Sequence, residues 1–359
     1  MRRDILEIDT RVVREREALS LSLRDVESIR LMLSGGSVID WQRLNFLSLD
    51  EVDRFLALQC LDMGDSDDRE RLRYVFNESV AYLEEHMQLR FPSSLRNPED
   101  VREVFLWASQ SDGFRRTQIL SCVILKLMHV IHHMEAADLK FKTPESEERF
   151  LELAHRRILK TARHMRDANL PVVSFYGSRK SRSSIITKLL AKKDTLAATI
   201  FDKLRFRIIV ESPDDLAEVL AWLNHHMFPF NYVIPGQSHN NLLDPDSLFE
   251  SIQNAETRAR AQDLLDAPEL LESAKNEFSG SSYRMINFIC DYPVRIPDAP
   301  SGPVSFELGK VVFVMVEFQI LDEQTSQQNE QGENAHSHYK NRQHEVVARR
   351  LKRGGRRRR

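Results

Sequence analysis

The stretch VVFVMVEFQI, residues 311–320, decides how the rest of the chain is read. Its run of β-branched and aromatic residues predicts a strand. Glu317 and Gln319 stand two apart inside it, so they share one face of that strand with Met315. A carboxylate set among such apolar neighbours is costly unless it is paired or bound to a metal. Glu317 is therefore the residue most in need of an explanation, and a functional acid is the first to consider.

Working outward, Tyr283 to Asp291, Leu204 to Val210 and Val172 to Tyr176 also read as strands. Helical patterns separate them. Glu147 to Ala168 ends before Pro171, Ser181 to Lys193 is a basic helix, and Ser212-Pro213-Asp214-Asp215 caps the helix that follows. Asp244 to Asn276 reads as a polar helical insertion, and Asp322 to Arg350 as polar and mostly helical. Strands mixed with helices in this way indicate an α/β or α+β domain.

The first 145 or so residues read as all helix. Ser48-Leu49-Asp50-Glu51 is a capping box ahead of Val52, Phe55, Leu56 and Leu58. Arg71 to Leu89 and Arg115 to His133 carry apolar residues at helical spacing, with Pro92 and Pro98 between them. The mostly apolar run Ile119 to Ile131, interrupted by Lys126, is too short to span a bilayer and reads as a buried helix. The expected organisation is an α-helical domain over 1–145, an α+β domain over 146–348 with an insertion near 237–279, and a basic, disordered tail over 349–359.

Composition narrows the classes. The 359 residues hold 51 Lys and Arg against 54 Asp and Glu, with 42% hydrophobic residues. That is a folded chain long enough for two domains. Charge is uneven: the terminal RRLKRGGRRRR carries basic residues and no acid, so the body is acidic. A solvated end is one reading of that tail, and an RNA or ribosome contact through phosphates is the other. Cys60, Cys122 and Cys290 are scattered without a CxxC, which argues against a zinc knuckle and for a reducing compartment. No apolar segment follows the N-terminal Met-Arg-Arg-Asp, so the expected location is cytoplasmic.

Several stretches carry candidate chemistry. A glycine turn at Gly177-Ser178-Arg179-Lys180 is expected to lead from a strand into a helix rich in cations and hydroxyls, which suits a polyphosphate. Lys180, Ser184 and Lys188, four residues apart, are expected on one helix face. No Walker A pattern or GxGxxG occurs. Asp202, at the entry to the strand at Leu204, is placed to hold Mg²⁺ at a sheet end or to serve as a cap or salt-bridge partner. His336 and Lys340 share a helix face in a polar segment. His132, His133, Glu135 and Asp138 form another polar cluster, expected to make a core or interhelical contact.

Taken in order, these pieces resemble the synthetase domain of the RelA/SpoT proteins over about residues 150–345. The matching residues are Gly177, Lys180, Ser184, Ile185 and Lys188, then Phe201, Asp202, Arg207 and Ile208, then Tyr283, then Glu317, Gln319 and Ile320, and finally Glu330, Gly332, Ala335, His336, Tyr339 and Lys340. The resemblance implies a mixed sheet flanked by helices, similar to nucleotidyltransferases. It implies a nucleotide pyrophosphokinase that moves the β,γ-pyrophosphate of ATP to the 3′-hydroxyl of GDP or GTP, as in alarmone synthesis. By the same resemblance Asp202 and Glu317 hold Mg²⁺ and are catalytic, while Arg179, Lys180, Ser184, Lys188 and Arg207 grip ATP phosphates. Tyr283 stacks on the acceptor base, and Gln319, His336 and Lys340 complete the acceptor pocket.

The chain departs from the family on the acceptor side. Ser178 stands where the family has Arg, Asn287 where it has His, and the family's Lys and Asn ahead of Tyr283 are missing. GDP or GTP, an adenine nucleotide, or a tRNA 3′ end therefore remain as acceptors, and a catalytically silent nucleotide-binding regulator is a further reading. No His-Asp dipeptide of the family's hydrolase occurs, and no hydrolase is expected.

Overall fold

The computed structural model describes residues 4–6, 21–33, 46–109, 115–191, 203–244, 248, 283–297, 307–330 and 344–351. It is an α+β protein, as the alternation of patterns predicted: helices dominate the first part and a mixed sheet the second.

The helical part comprises α2 (Leu49–Leu58), α3 (Ser66–Met87), the short α4 (Ser93–Arg96), α5 (Glu103–Ser109) and α6 (Arg115–Lys142). Ser48 caps α2, its hydroxyl accepting from the Glu51 amide at 3.3 Å. The reciprocal half of the expected capping box goes elsewhere: the Glu51 carboxylate accepts from the Leu47 amide and from Arg24. Phe46, Phe55 and Phe105 meet edge to face at the centre of a core that also takes Phe76 and Ile124. The α6 helix outruns its apolar stretch. Arg115–Lys142 is long and apolar enough to cross a membrane by length and composition, yet here Leu120, Cys122, Ile124, Leu125 and Met128 bury against the neighbouring helices.

The sheet has the order β1-β2-β3-β6-β5-β4, built from β1 (Asp4–Leu6), β2 (Val172–Arg179), β3 (Leu204–Val210), β4 (His239–Asn240), β5 (Ile286–Arg295) and β6 (Val311–Asp322). Among the described strands, only β3 and β6 run parallel, with Arg205 opposite Glu317 and Arg207 opposite Gln319. One face packs on α7 (Glu147–Asp167), α9 (Leu216–His226) and α1 (Leu23–Leu33), around Phe175, Phe206, Phe288 and Phe318. α7 starts at the cap Ser146 and turns Phe150, Leu151, Ala154, Ile158, Ala162 and Met165 inward, the stripe a 3.6-residue period requires.

Three expectations change. The described parts of residues 1–33 belong with the sheet rather than with the helical unit: β1 pairs antiparallel with β2, and Val26, Ile29, Met32 and Leu33 join the sheet core. A three-residue edge strand leaves no period to read. Gly177 is no turn but lies within β2, where a Cβ would come within 2.7 Å of Phe206 and 2.9 Å of the His155 ring. Arg349 and Arg350, expected in the disordered tail, continue a helix over 344–351, and Arg350 donates to the Leu190 carbonyl at 2.7 Å. The rest of the tail and most of the expected insertion lie outside the described residues.

The helical unit docks on the sheet through polar ties and one aromatic stack. Arg157 donates to the carbonyls of Leu58 and Pro293, Arg295 pairs with Asp68 at 2.6 Å, and the Tyr232 hydroxyl donates to Gln59 at 2.8 Å. Arg71 pairs with Glu135 and reaches the Glu307 carbonyl. The His133 ring lies flat on Phe313 of β6, centroids 4.1 Å apart, and His132 meets Phe313 edge-on. The polar cluster of α6 is thus a contact to the sheet. Burial pushes His129 down to about 4 and His132 to about 3, with the nearby Arg71 and His129 adding to the second; His133 falls further still. Asp291, whose carboxylate is 3.7 Å from His133, is pushed up to about 6 by the same desolvation.

Candidate active site

The sheet face away from α7 changes character along β6. Phe313 is covered by α6, Met315 is exposed, and Glu317 and Gln319 are each only 4% exposed. Strand alternation puts all of them on this face. On β3 the same alternation buries Leu204, Phe206 and Ile208 on the α7 side and leaves Arg205 and Arg207 facing Glu317 and Gln319.

These side chains form one connected polar row. Arg205 Nε donates to Glu317 Oε2 at 2.6 Å, and Gln319 Nε2 donates to Glu317 Oε1 at 2.9 Å. Gln319 Oε1 in turn accepts from Arg207 Nε and a terminal nitrogen, at 3.2 and 2.9 Å. The same Arg207 nitrogen lies 3.4 Å from the Tyr283 hydroxyl. Each polar group at this buried position is thereby satisfied by its neighbour, which is what keeps a carboxylate tolerable there.

Tyr283 is held from two sides. Asn241 donates to the Tyr283 carbonyl at 2.8 Å and accepts from the Met285 amide at 2.8 Å. Asn329, from α10 (Glu323–Glu330), clasps the backbone of Arg284 through both of its amide atoms, at 2.6 and 3.1 Å. Asn287 is the register partner of Gln319 on β5, and its buried Oδ1 has no hydrogen-bond partner among the described residues.

Glu317, Gln319, Arg207 and Tyr283, all expected from sequence, come together here. Arg179 does not join them: its register partner is Leu204, and it pairs with Glu148 on the α7 side of the sheet. Lys180 precedes α8 (Arg182–Ala191) instead of lying on it, its amide bonded to the Lys203 carbonyl. The expected single helix face thus reduces to Ser184 and Lys188. Ser181 caps α8, accepting from the Ser184 amide at 3.3 Å, and its hydroxyl is 2.9 Å from that of Ser184. Asp202, His336 and Lys340 lie outside the described residues.

Arg205, Asn241 and Asn329 were missed by sequence reasoning. Arg205 had a signal: Leu-Arg-Phe-Arg-Ile alternates, so whatever Arg207 faces, Arg205 faces too. The asparagines had none, since they touch the Tyr283 segment from more than forty residues away.

The resemblance implies Mg²⁺ between Asp202 and Glu317. At Glu317 the donor set does not fit one: each carboxylate oxygen already accepts a hydrogen bond, and one of the donors is a full positive charge. Among the described residues, no three His, Cys, Asp or Glu side chains group to hold a metal ion.

No protein-family model and no curated protein matches the chain. Among solved structures, the small alarmone synthetase 1 of Bacillus subtilis, bound to its product pppGpp, is 16% identical, with 58% of this chain and 94% of that one covered and a TM-score of 0.30. The small alarmone synthetase 2 of the same organism is 16% identical, covering 59% and 97%, at a TM-score of 0.29. A GTP pyrophosphokinase family protein from Streptococcus pneumoniae is 15% identical, covering 57% and 87%, at 0.30. Superpositions at such scores carry neither site nor substrate across to this chain.

Proposed function

We propose that this chain transfers the β,γ-pyrophosphate of ATP to a ribose 3′-hydroxyl of a second nucleotide. The observation that carries the reading is the row Arg205–Glu317–Gln319–Arg207–Tyr283 on one sheet face. It combines two guanidiniums, one buried carboxylate and one aromatic ring. Guanidiniums match phosphate oxygens in charge and in their planar fork. An aromatic ring offers a stacking surface to a nucleobase. Pyrophosphoryl transfer asks for little more than positioning and charge stabilisation.

In this scheme Arg205 and Arg207 bind the phosphates, and Tyr283, fixed by Asn241 and Asn329, supports the acceptor base. The acceptor oxygen forms a bond to the β-phosphorus while the bond from that phosphorus to the α-bridging oxygen breaks, and AMP leaves. Glu317 orients the hydroxyl and takes up its proton. Magnesium arrives with ATP as part of the substrate.

Full-length protein given labelled ATP, Mg²⁺ and a panel of GDP, GTP, ADP and tRNA should yield a pyrophosphorylated product. Glu317→Gln should lower the rate by about 100-fold or more, the scale on which a positioned acid or base contributes. No product with any acceptor would sink the enzyme reading. Tight nucleotide binding without turnover would instead favour a silent nucleotide sensor, the reading motivated by the missing acceptor-side Lys, Asn and His.

A further inference from the structure

We infer that Arg205 stands where a cation would, so that Glu317 in this chain is neutralised by its own sheet and holds no divalent ion. This deepens the functional reading at the same site, but it rests on contacts that do not depend on which reaction occurs there.

Three features of the fold place the guanidinium. First, Arg205 and Glu317 are register partners on the parallel pair β3 and β6. Second, their backbones cannot drift apart, because the flanking Leu204, Phe206, Val316 and Phe318 are wholly buried on the opposite face. Third, the contact uses Nε, the guanidinium nitrogen nearest the backbone, at 2.6 Å. The second oxygen is engaged by Gln319. A divalent ion bound by Glu317 would have to displace Arg205 or share its carboxylate. Two positive groups at one buried carboxylate repel strongly in a poorly screened site.

The Arg205 side chain is 32% exposed and that of Glu317 only 6%. Of the two paired groups, the guanidinium is the one more open to an incoming phosphate.

The test is metal binding without nucleotide. Free Mn²⁺ is followed by electron paramagnetic resonance during titration of the full-length wild type, Glu317→Gln, Arg205→Gln and the double variant. Wild type and Glu317→Gln should give superimposable curves. Arg205→Gln should gain about tenfold or more in Mn²⁺ affinity, the range by which groups around a metal ligand tune it. The double variant should lose that gain, which assigns the new site to Glu317. Arg205→Lys, which keeps the charge, should gain nothing. A wild-type Mn²⁺ site that disappears in Glu317→Gln would overturn the inference, as would an Arg205→Gln protein that melts cooperatively but binds no additional ion. The wild-type and Glu317→Gln pair decides the matter even if Arg205→Gln fails to fold. No outcome requires turnover, so the inference and the proposed transfer can fail separately.

Discussion

Two ends of one face of β6 solve the same problem in opposite ways. At Phe313 the sheet meets α6, and the half-buried titratable groups there, His129, His132, His133 and Asp291, are driven toward their neutral forms. At Glu317, four residues along, the carboxylate keeps a guanidinium and an amide as partners. Desolvation either strips charge or demands a partner for it. The first solution makes a docking surface and the second leaves charge arranged for a ligand. Residue type alone does not separate the two, since both contain acids and bases; what separates them is whether a counter-charge lies in register.

The docked end should be the more sensitive to truncation. Phe313→Ala removes the ring on which His133 stacks and should cost about 3 kcal/mol, the low end for a Phe whose burial is partial. Chemical denaturation reads this directly. A loss below about 1 kcal/mol would mean that the helical unit is held by its polar ties instead.

At the paired end the two partners should not be equivalent. Arg205→Gln strands a buried carboxylate, whereas Glu317→Gln leaves an arginine that can turn to solvent. The first should cost about 2 kcal/mol and the second less than about 1, discounted because Arg205 is partly exposed. Equal losses would show that the carboxylate is less enclosed than its contacts indicate.

Acid should loosen the docked end as well. Between their lowered values and about 6.5, the histidines bind fewer protons folded than unfolded, so stability falls as pH drops through that window. Asp291 acts in the other sense: between about 4 and 6 the folded protein holds a proton that the unfolded chain has released. The melting temperature should therefore fall from pH 7 toward pH 4.5, and Asp291→Asn should steepen that fall. A melting temperature that rises on acidification would contradict the neutral histidine cluster.

Much of the sheet was legible because burial imposes a period. Leu204–Val210 was read with its observed bounds, and β6 was recognised with two residues missing from its end. The shared face of Glu317 and Gln319 followed from alternation alone. The same rule applied to Arg205 would have set it on the face of Arg207, while its pairing with Glu317 and the separation of Arg179 depend on how the strands are registered. What the sequence could not show depended on distant contact: β1 against β2, α1 against the sheet, and the asparagine clasps behind Tyr283. The extent of α6 was hidden for a different reason, because its later turns are polar on the outside and carry few apolar residues to mark a period.

The most direct test is a crystal structure of the full-length protein with a non-hydrolysable ATP analogue. The account predicts phosphate oxygens within hydrogen-bonding distance of both Arg205 and Arg207, with Glu317 beside them at the floor of the site. Phosphates bound elsewhere, with the Arg205–Glu317–Gln319–Arg207 row unchanged and untouched, would contradict it.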